Sequence, residues 1–384
     1  MRRSSFFSFL LIASSLATAS TQAATPIPTA PDVDARSYIL LDFDSGKVLA
    51  EKNADQIVEP ASITKVMTVY VAFDEVKKGR VHMTDQVPVS EKAWRQGIDS
   101  TESRMFLDVG SKVQLIDLLR GIVIQSGNDA AVAVAEYLGG TEQGFAQIMN
   151  HYAQQLGMKN TNYMDASGMP DPQHHTSARD IATLSRALIR NFPEQYKMFA
   201  EKEFTFHNIR QYNRNGLLGR DPSVDGIKTG HTEAAGYCLA ASAKRGTMRL
   251  ISVVMGTPSI KAREAANAAL LGYGYTFYET GKVKGNGDTV LKPRVYKSAD
   301  KNIAVGVKQD IWLTLPRGDI AGLKTTANVK EPLIAPLAAN QPVGDLTITN
   351  AAGQPVAKVP LYPLKAVPEA GLWTRMVDTV SLWF

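Results

Sequence analysis

Apolar and polar residues alternate along this chain in three successive textures. Near the start, Tyr38-Ile39-Leu40-Leu41-Asp42 and Lys47-Val48-Leu49-Ala50 flank Asp44-Ser45-Gly46, which predicts a hairpin closed by turn-forming residues. Pro60-Ala61 opens a stretch in which Ile63, Val66, Met67, Tyr70 and Phe73 recur at three- and four-residue steps, the spacing of a helix with a buried face. Ser62 and Lys65 then fall in its first turn. Val113 to Ile124, Ala130 to Leu138 and Ala178 to Arg190 predict further helices, with Ser126-Gly127-Asn128 as the corner between the first two. Tyr237 to Ser242 and Arg249 to Gly256 predict neighbouring strands joined at Lys244-Arg245-Gly246, followed by a helix from about Lys261 to Gly272. A hairpin first, helices in the middle and strands last predict an α+β layer arrangement whose terminal segments share one sheet.

From Lys282 onward the texture changes to short apolar stretches, Ile303 to Val307, Ile311 to Leu315 and Leu346 to Thr349, broken by Gly, Pro, Asn and Asp. That pattern predicts a separate small all-β domain. The last segment, Glu369 to Phe384, differs from both. Leu372, Trp373, Met376, Val377, Val380, Trp383 and Phe384 fall on one side at helical spacing, with Thr374, Arg375, Asp378 and Ser381 opposite. Such a helix either lies in a membrane surface or docks on the β domain. Glu369 and Asp378 set against Arg375 deny it a basic face for anionic lipid, so membrane binding would rest on apolar insertion.

The amino terminus changes the picture of compartment. Arg2 and Arg3 precede an apolar run from Phe6 to Leu16, and small residues end at Ala19 or Ala23. This is the pattern of a secretory signal peptide over residues 1–23, with cleavage after either alanine. Its removal takes the formal charge from +5 to about +3, only mildly basic, so no nucleic-acid partner is expected. With one cysteine, Cys238, in a strand-like run, no internal disulfide can form and a buried structural thiol is expected.

Three short segments carry the candidate chemistry: Ser62-Ile63-Thr64-Lys65, Ser126-Gly127-Asn128 and Lys228-Thr229-Gly230. Ser-x-x-Lys alone arises by chance roughly once or twice in such a chain, and Ser298 to Lys301 is a second copy, placed where no helix follows. The ordered set carries the weight. A serine hydroxyl needs a base, and a lysine one helical turn on lies on the same face. Lys65 must then be neutral, through burial or a neighbouring cation such as Lys228. Ser126-Gly127-Asn128 also has a plain explanation as a helix end followed by a cap, and Lys228-Thr229-Gly230 as a strand start. The functional alternative has Ser126 relaying a proton, Asn128 holding Lys65 and the substrate amide, and Gly230 permitting close approach of another backbone.

Ser-x-x-Lys, Ser-x-Asn and Lys-Thr-Gly are the signature set of penicillin-binding proteins and serine β-lactamases. With Glu59-Pro60-Ala61, Gln125 to Ala130, Asn213-Arg214-Asn215-Gly216-Leu217-Leu218 and Val224 to Thr232, the mature chain resembles the low-molecular-mass D-alanyl-D-alanine carboxypeptidases of the penicillin-binding protein 5 and 6 group. The resemblance implies a β-lactamase/transpeptidase-like catalytic domain over residues 24–276, an all-β sandwich over 282–368 and a membrane-anchor helix over 369–384. It implies Ser62 as acyl-enzyme nucleophile, Lys65 as general base, and Ser126 and Asn128 as relay and positioning groups. Lys228, Thr229 and Gly230 become the substrate-binding strand, the backbone N–H groups of Ser62 and His231 the oxyanion hole, and Arg263 a carboxylate-binding group. Arg263 also reads as a surface charge on a helix. Peptidoglycan pentapeptide stems and β-lactam antibiotics are the implied partners, on the periplasmic face of the cytoplasmic membrane. No metal or organic cofactor is implied.

Other functions fit less well. The Glu-x-x-Leu-Asn segment that activates deacylating water in class A β-lactamases does not occur between Ser126 and Lys228, so slow release of a penicilloyl group is expected. No Gly-x-Ser-x-Gly elbow is present, and Gly285-Asn286-Gly287 does not complete a dinucleotide fingerprint. His174-His175 lacks metal-ligand spacing and a local acidic partner, and reads as loop. A wall-binding scaffold without turnover is disfavoured by intact Ser62, Lys65 and Lys228.

Overall fold

The computed structural model describes residues 27–96, 98 and 102–383; the export signal expected over residues 1–23 lies outside the described residues. The central sheet is built from both ends of the first unit. Strands β1 (Ser37–Asp42) and β2 (Val48–Lys52) form the expected hairpin, while β3 (Val224–Thr232), β4 (Gly236–Arg245) and β5 (Met248–Thr257) come from far along the chain. The order is β2-β1-β5-β4-β3, all antiparallel, with Ile39 opposite Val253 and Leu40 opposite Ser252.

Every residue of β1 is buried because both faces of the sheet are covered. Side chains alternate along a strand, so Ile39 and Leu41 join the core that contains α1 (Lys65–Lys77), while Tyr38 and Leu40 join the core under α5 (Ile260–Phe277). Between α1 and α5 in sequence lie α2 (Asn128–Gly139), α3 (Glu142–Leu156) and α4 (Ala178–Asn191). Helix α1 is not one-sided: all residues from Lys65 to Phe73 are buried, because α2, α3 and α4 pack around it and β3 lies nearby. Such a position suits Val, Met, Ala and Phe, and makes a buried lysine costly unless it is hydrogen-bonded or neutral.

Two expectations need correction. Ser62 lies in a 3₁₀ turn, Ala61–Thr64, that precedes α1, and only Lys65 belongs to the α-helix. Val113 to Ile124 is not one helix. Lys112–Gln114 is a strand paired with Gln86–Pro88, Leu115–Arg120 is helical, and Gly121–Gln125 widens into a π turn. Tertiary pairing of Val113 with Val87 overrides the local helical spacing.

The second unit begins with β6 (Tyr278–Lys284), which pairs with β9 (Ile311–Pro316). A five-stranded sheet has the order β7-β8-β12-β11-β10, formed by Thr289–Leu291, Val305–Gly306, Pro355–Pro363, Gly344–Thr349 and Lys324–Val329 respectively. Alternate residues Leu346 and Ile348 meet Val305 and Leu361 in its core. The two units are joined by polar contacts: Thr280 donates to buried Asp42 at 2.7 Å, and Ser45 and Thr314 hydroxyls lie 2.6 Å apart. At the end, α6 (Leu372–Ser381) docks by its polar side, where Asp378 accepts from the Lys297 backbone N–H. Leu372, Trp373, Met376, Val377 and Val380 on the helix, and Trp383 just after it, are exposed. Among the described residues no helix is long and apolar enough to cross a membrane.

Candidate active site

A cleft of about 450 Å³ opens between the edge strand β3 and the start of α2. Ser62, Ser126, Asn128, Thr229, Gly230, His231 and Arg263 line it, and Lys65 and Lys228 are buried nearby. The structure therefore brings together all three motifs and Arg263. Ser298 and Lys301 are in the β-rich unit, where the Ser298 hydroxyl accepts from the Asp300 N–H at 3.2 Å.

The turn that carries Ser62 is held from two sides. Gly230 on β3 sits so close that an added Cβ would be 2.9 Å from the Pro60 carbonyl oxygen and 3.1 Å from Ile63. The backbone that needs this glycine is thus the turn that carries Ser62. Across the cleft, Gly168 has φ of +89°, and a Cβ there would overlap the Ala61 carbonyl. Ala61 itself has φ of +46°, an uncommon conformation for a residue with a side chain, and it immediately precedes Ser62.

Lys65 Nζ donates to Ser62 Oγ at 2.9 Å, to Asn128 Oδ1 at 2.7 Å and to the Ser167 carbonyl at 2.8 Å. These three acceptors use all three ammonium protons. Burial pulls its pKa down to about 7 and Arg214 adds to the effect, while Asp165, Glu102 and Asp129 oppose it. Burial thus dominates, and the cation that adds to it is Arg214, where the sequence points to Lys228. Lys228 is pushed well below its ordinary value by burial first, then by Lys65, Arg214 and Arg263. At neutral pH Lys65 has a substantial neutral fraction, and the same 2.9 Å contact then lets the Ser62 hydroxyl donate to it.

The corner at residues 126–128 is not a plain cap. Ser126, not Gly127, adopts the left-handed conformation that ends the preceding turn, with φ of +68°. Gly127 precedes α2 without a side-chain cap, and Asn128 turns its side chain to Lys65. The buried Ser126 hydroxyl has no hydrogen-bond partner among the described residues, an uncommon state for a buried polar group and one suited to a proton-transfer role once substrate enters. Arg263 is buried, not a surface charge. Its Nη1 donates to the carbonyls of Gly230 at 3.2 Å and Cys238 at 3.4 Å, while Nε is unpartnered among the described residues. The exposed His231 ring stacks on Tyr237 at 4.0 Å, beside the cleft. Cys238 is buried and its thiol pushed up to about 11 by burial, an inert packing group.

Motif reading missed the wall opposite β3. Asp165 Oδ1 accepts from the N–H groups of Ser167 at 2.7 Å and Gly168 at 2.6 Å, and Oδ2 from Met169 at 3.1 Å. That side-chain turn aims the Ser167 carbonyl at Lys65. Burial alone would raise the Asp165 carboxyl, but His174 and these N–H groups outweigh it and hold it down to about 2. His174, read from sequence as loop without an acidic partner, is buried with Nδ1 3.3 Å from Asp165 and Nε2 2.9 Å from Thr64 Oγ1. Asp165-Ala166-Ser167-Gly168 is a turn signal in the sequence, but a carbonyl acceptor has no residue signature. Arg214, which lines the cleft and donates to the Gln125 carbonyl at 3.0 Å, belongs to none of the three motifs.

Comparison with known proteins gives the family of the chain. The family described as D-alanyl-D-alanine carboxypeptidase, peptidase S11, matches residues 23–259, and the penicillin-binding protein 5 C-terminal domain matches residues 278–369. The chain is 44% identical over 365 residues to the D-alanyl-D-alanine carboxypeptidase DacA of Escherichia coli K12, covering 94% of this chain and 90% of that protein. The crystal structure of penicillin-binding protein 5 from Haemophilus influenzae superposes with a TM-score of 0.85 at 42% identity, covering 89% of this chain and 100% of the other. Penicillin-binding protein 6B from Escherichia coli gives a TM-score of 0.74 at 36% identity, over 87% and 96% of the two chains. These matches over both units, with a cleft that gathers Ser62, buried Lys65 and both further motifs, make this chain a member of the peptidase S11 D-alanyl-D-alanine carboxypeptidases, serine hydrolases of the penicillin-binding protein 5 type.

Proposed function

We propose that this enzyme removes the terminal D-alanine from peptidoglycan pentapeptide stems through an acyl-enzyme on Ser62, and that β-lactams acylate the same oxygen. The observation that carries the reading is Lys65, buried, with a pKa near 7 and 2.9 Å from Ser62 Oγ. Neutral Lys65 takes the Ser62 proton as Oγ attacks the carbonyl carbon of the penultimate D-alanine. The backbone N–H groups of Ser62 and His231 receive the oxyanion. The C–N bond then breaks as Lys65 returns its new proton to Ser126 while Ser126 gives its own to the departing amine, and free D-alanine leaves with Lys65 neutral again. Water adds to the ester carbonyl, its proton returns through Lys65 to Ser62 Oγ, and the shortened stem is released.

The substrate backbone pairs with β3, which is an edge strand with a free side. A terminal carboxylate entering the cleft needs cationic donors to offset its lost hydration; Lys228 and Arg263 are those donors, and Thr229 adds its hydroxyl. In a β-lactam the ring amide replaces the scissile bond, and the leaving amine stays tethered.

Residues 1–23 act as export signal, 24–276 as catalytic domain, 282–368 as β-rich stalk and 369–384 as anchor. The apolar side chains of α6 enter the outer leaflet on the periplasmic face of the cytoplasmic membrane, while Asp378 ties its polar side to the stalk. Incubation with a pentapeptide muropeptide should release D-alanine stoichiometrically with tetrapeptide; an intact substrate would refute the reading. Amidating the terminal D-alanine should cost roughly 100-fold in kcat/KM, and Arg263→Ala should erase most of that preference. Deleting the chain from Gly371 onward should release the enzyme from membranes with soluble activity retained, whereas unchanged sedimentation with membranes would remove the anchor role.

A further inference from the structure

The cleft contains an acidic side chain that none of the three motifs includes. Glu102 lines it, and its Oε2 accepts a hydrogen bond from Asn128 Nδ2 at 2.9 Å. The other end of the same carboxamide, Oδ1, accepts from Lys65 Nζ at 2.7 Å. Carboxylate, amide and lysine thus form one chain of hydrogen bonds that ends 2.9 Å from Ser62 Oγ.

The position of Glu102 is built from below. Asn128 N–H donates to the Ser103 carbonyl at 2.8 Å, and buried Asp129 receives the N–H groups of Met105 at 2.7 Å and Leu107 at 3.1 Å. The segment after Glu102 is therefore stapled to the first turn of α2, the turn that carries Asn128.

From this geometry we infer that Glu102 is a positioning residue for the acylation step: it locks the Asn128 carboxamide in the orientation that serves both Lys65 and the substrate. An ionised carboxylate only accepts hydrogen bonds, so it pairs with the amide NH₂ and repels the amide oxygen. A flipped Asn128 would face oxygen to carboxylate on one side and NH₂ to the lysine on the other. With Glu102 in place, one Nδ2 hydrogen is committed to the carboxylate. Nδ2 also donates to the weak thioether of Met169 at 3.6 Å, a bond that a substrate acyl carbonyl can replace.

The charge has a second consequence. The charged groups that act on Lys65 are Asp165 on the opposite wall, Glu102, Asp129 at the start of α2, and Arg214, with Lys228 coupled to it from β3. The three carboxylates favour the ammonium, and Arg214 and burial favour the neutral base. Loss of the Glu102 charge removes one of the groups that hold the proton, so the base becomes available at lower pH.

The inference rests on the reading of Lys65 as base and Asn128 as the substrate-amide group. It is tested on the full mature chain with Glu102→Ala, Glu102→Gln and Asn128→Ala, measuring the second-order rate of acylation by a fluorescent penicillin from pH 5 to 9, with thermal unfolding alongside. Glu102→Ala should lower the rate roughly tenfold at pH 8, because the amide loses its orienting partner. Glu102→Gln can still accept the Asn128 bond and should recover to within about threefold of wild type, with its acid limb displaced by roughly half a pH unit to lower pH. Wild-type rates and limb in both Glu102 variants, with Asn128→Ala impaired, would overturn the lock alone. A fall in Glu102→Ala that tracks a lower melting temperature and is not rescued by Gln would overturn it in favour of plain structural support. Wild-type acylation by Asn128→Ala would instead remove the site reading on which the inference stands.

Discussion

Ser62 to Lys65 and Ser298 to Lys301 share a four-residue pattern and have opposite fates. The first pair bridges a 3₁₀ turn and a helix at the centre of the largest core, and its lysine is fully buried with three acceptors. The second lies in the β-rich unit, where Ser298 satisfies a nearby backbone N–H and Lys301 is exposed. The contrast extends to whole units. Lys65, Asp129, His174, Lys228 and Arg263 are all buried in the first unit, and among the described residues of the second no Asp, Glu, Lys, Arg or His is. Identical side chains meet different surroundings in the two places, and it is burial, not spacing, that lowers the proton affinity of the Lys65 amine.

The sharpest way to break this comparison is to remove both hydroxyls in turn. Ser62→Ala should abolish penicillin labelling and lower D-alanine release by roughly 10⁴-fold or more, while Ser298→Ala leaves both unchanged. Labelling that survives in Ser62→Ala and vanishes in Ser298→Ala would invert the assignment.

The next largest effect tests the amine. Lys65→Arg should acylate roughly 10³-fold more slowly, because a guanidinium keeps its proton, whereas Lys301→Arg should behave as wild type. The wild-type acylation rate should rise about tenfold per pH unit well below 7 and level off above it, following the neutral fraction of Lys65. A flat profile between pH 5 and 8 would contradict a lysine base with a pKa near 7.

A smaller effect sharpens what the surroundings contribute. Asp165 is held at about 2 in the folded chain against 3.8 as its ordinary value, so its ionised form stabilises the fold above about pH 4, and that contribution is lost as pH falls toward 2. Asp165→Asn should therefore cost about 2 kcal/mol at pH 7 by urea unfolding, with the difference from wild type shrinking near pH 2. A difference of equal size at both pH values would assign the effect to packing.

Much of the scaffold was legible from residue patterns. The hairpin at Asp44-Ser45-Gly46, the long α4 and the paired β4 and β5 have strong period-two or period-3.6 signals with turn residues between them. Val113 to Ile124 was not legible, because its helical spacing is local and its strand partner, Gln86–Pro88, is distant in sequence. At the site, hydroxyl, amine and amide side chains announce themselves as motifs. The Ser167 carbonyl, the Asp165 turn behind it and the Glu102 carboxylate beside Asn128 belong to no motif, and only contacts across 26 to 102 residues of chain reveal them.

By itself the sequence determined which groups are available: one Ser-x-x-Lys on a helix start, one Ser-x-Asn, one Lys-Thr-Gly, and a glycine at 230 that admits a close neighbour. It also determined the α+β order and the β-rich second unit, since those follow from local periodicity. The tertiary structure alone decided that Lys65 is buried, that Asn128 faces it rather than capping α2, that Arg263 points inward, and that Arg214 and three carboxylates set the balance around the amine. The physical reason is one of range. Secondary structure is governed by neighbours within a turn or two, whereas the pKa of a buried amine depends on the solvent it has lost and on charges brought to it by distant segments.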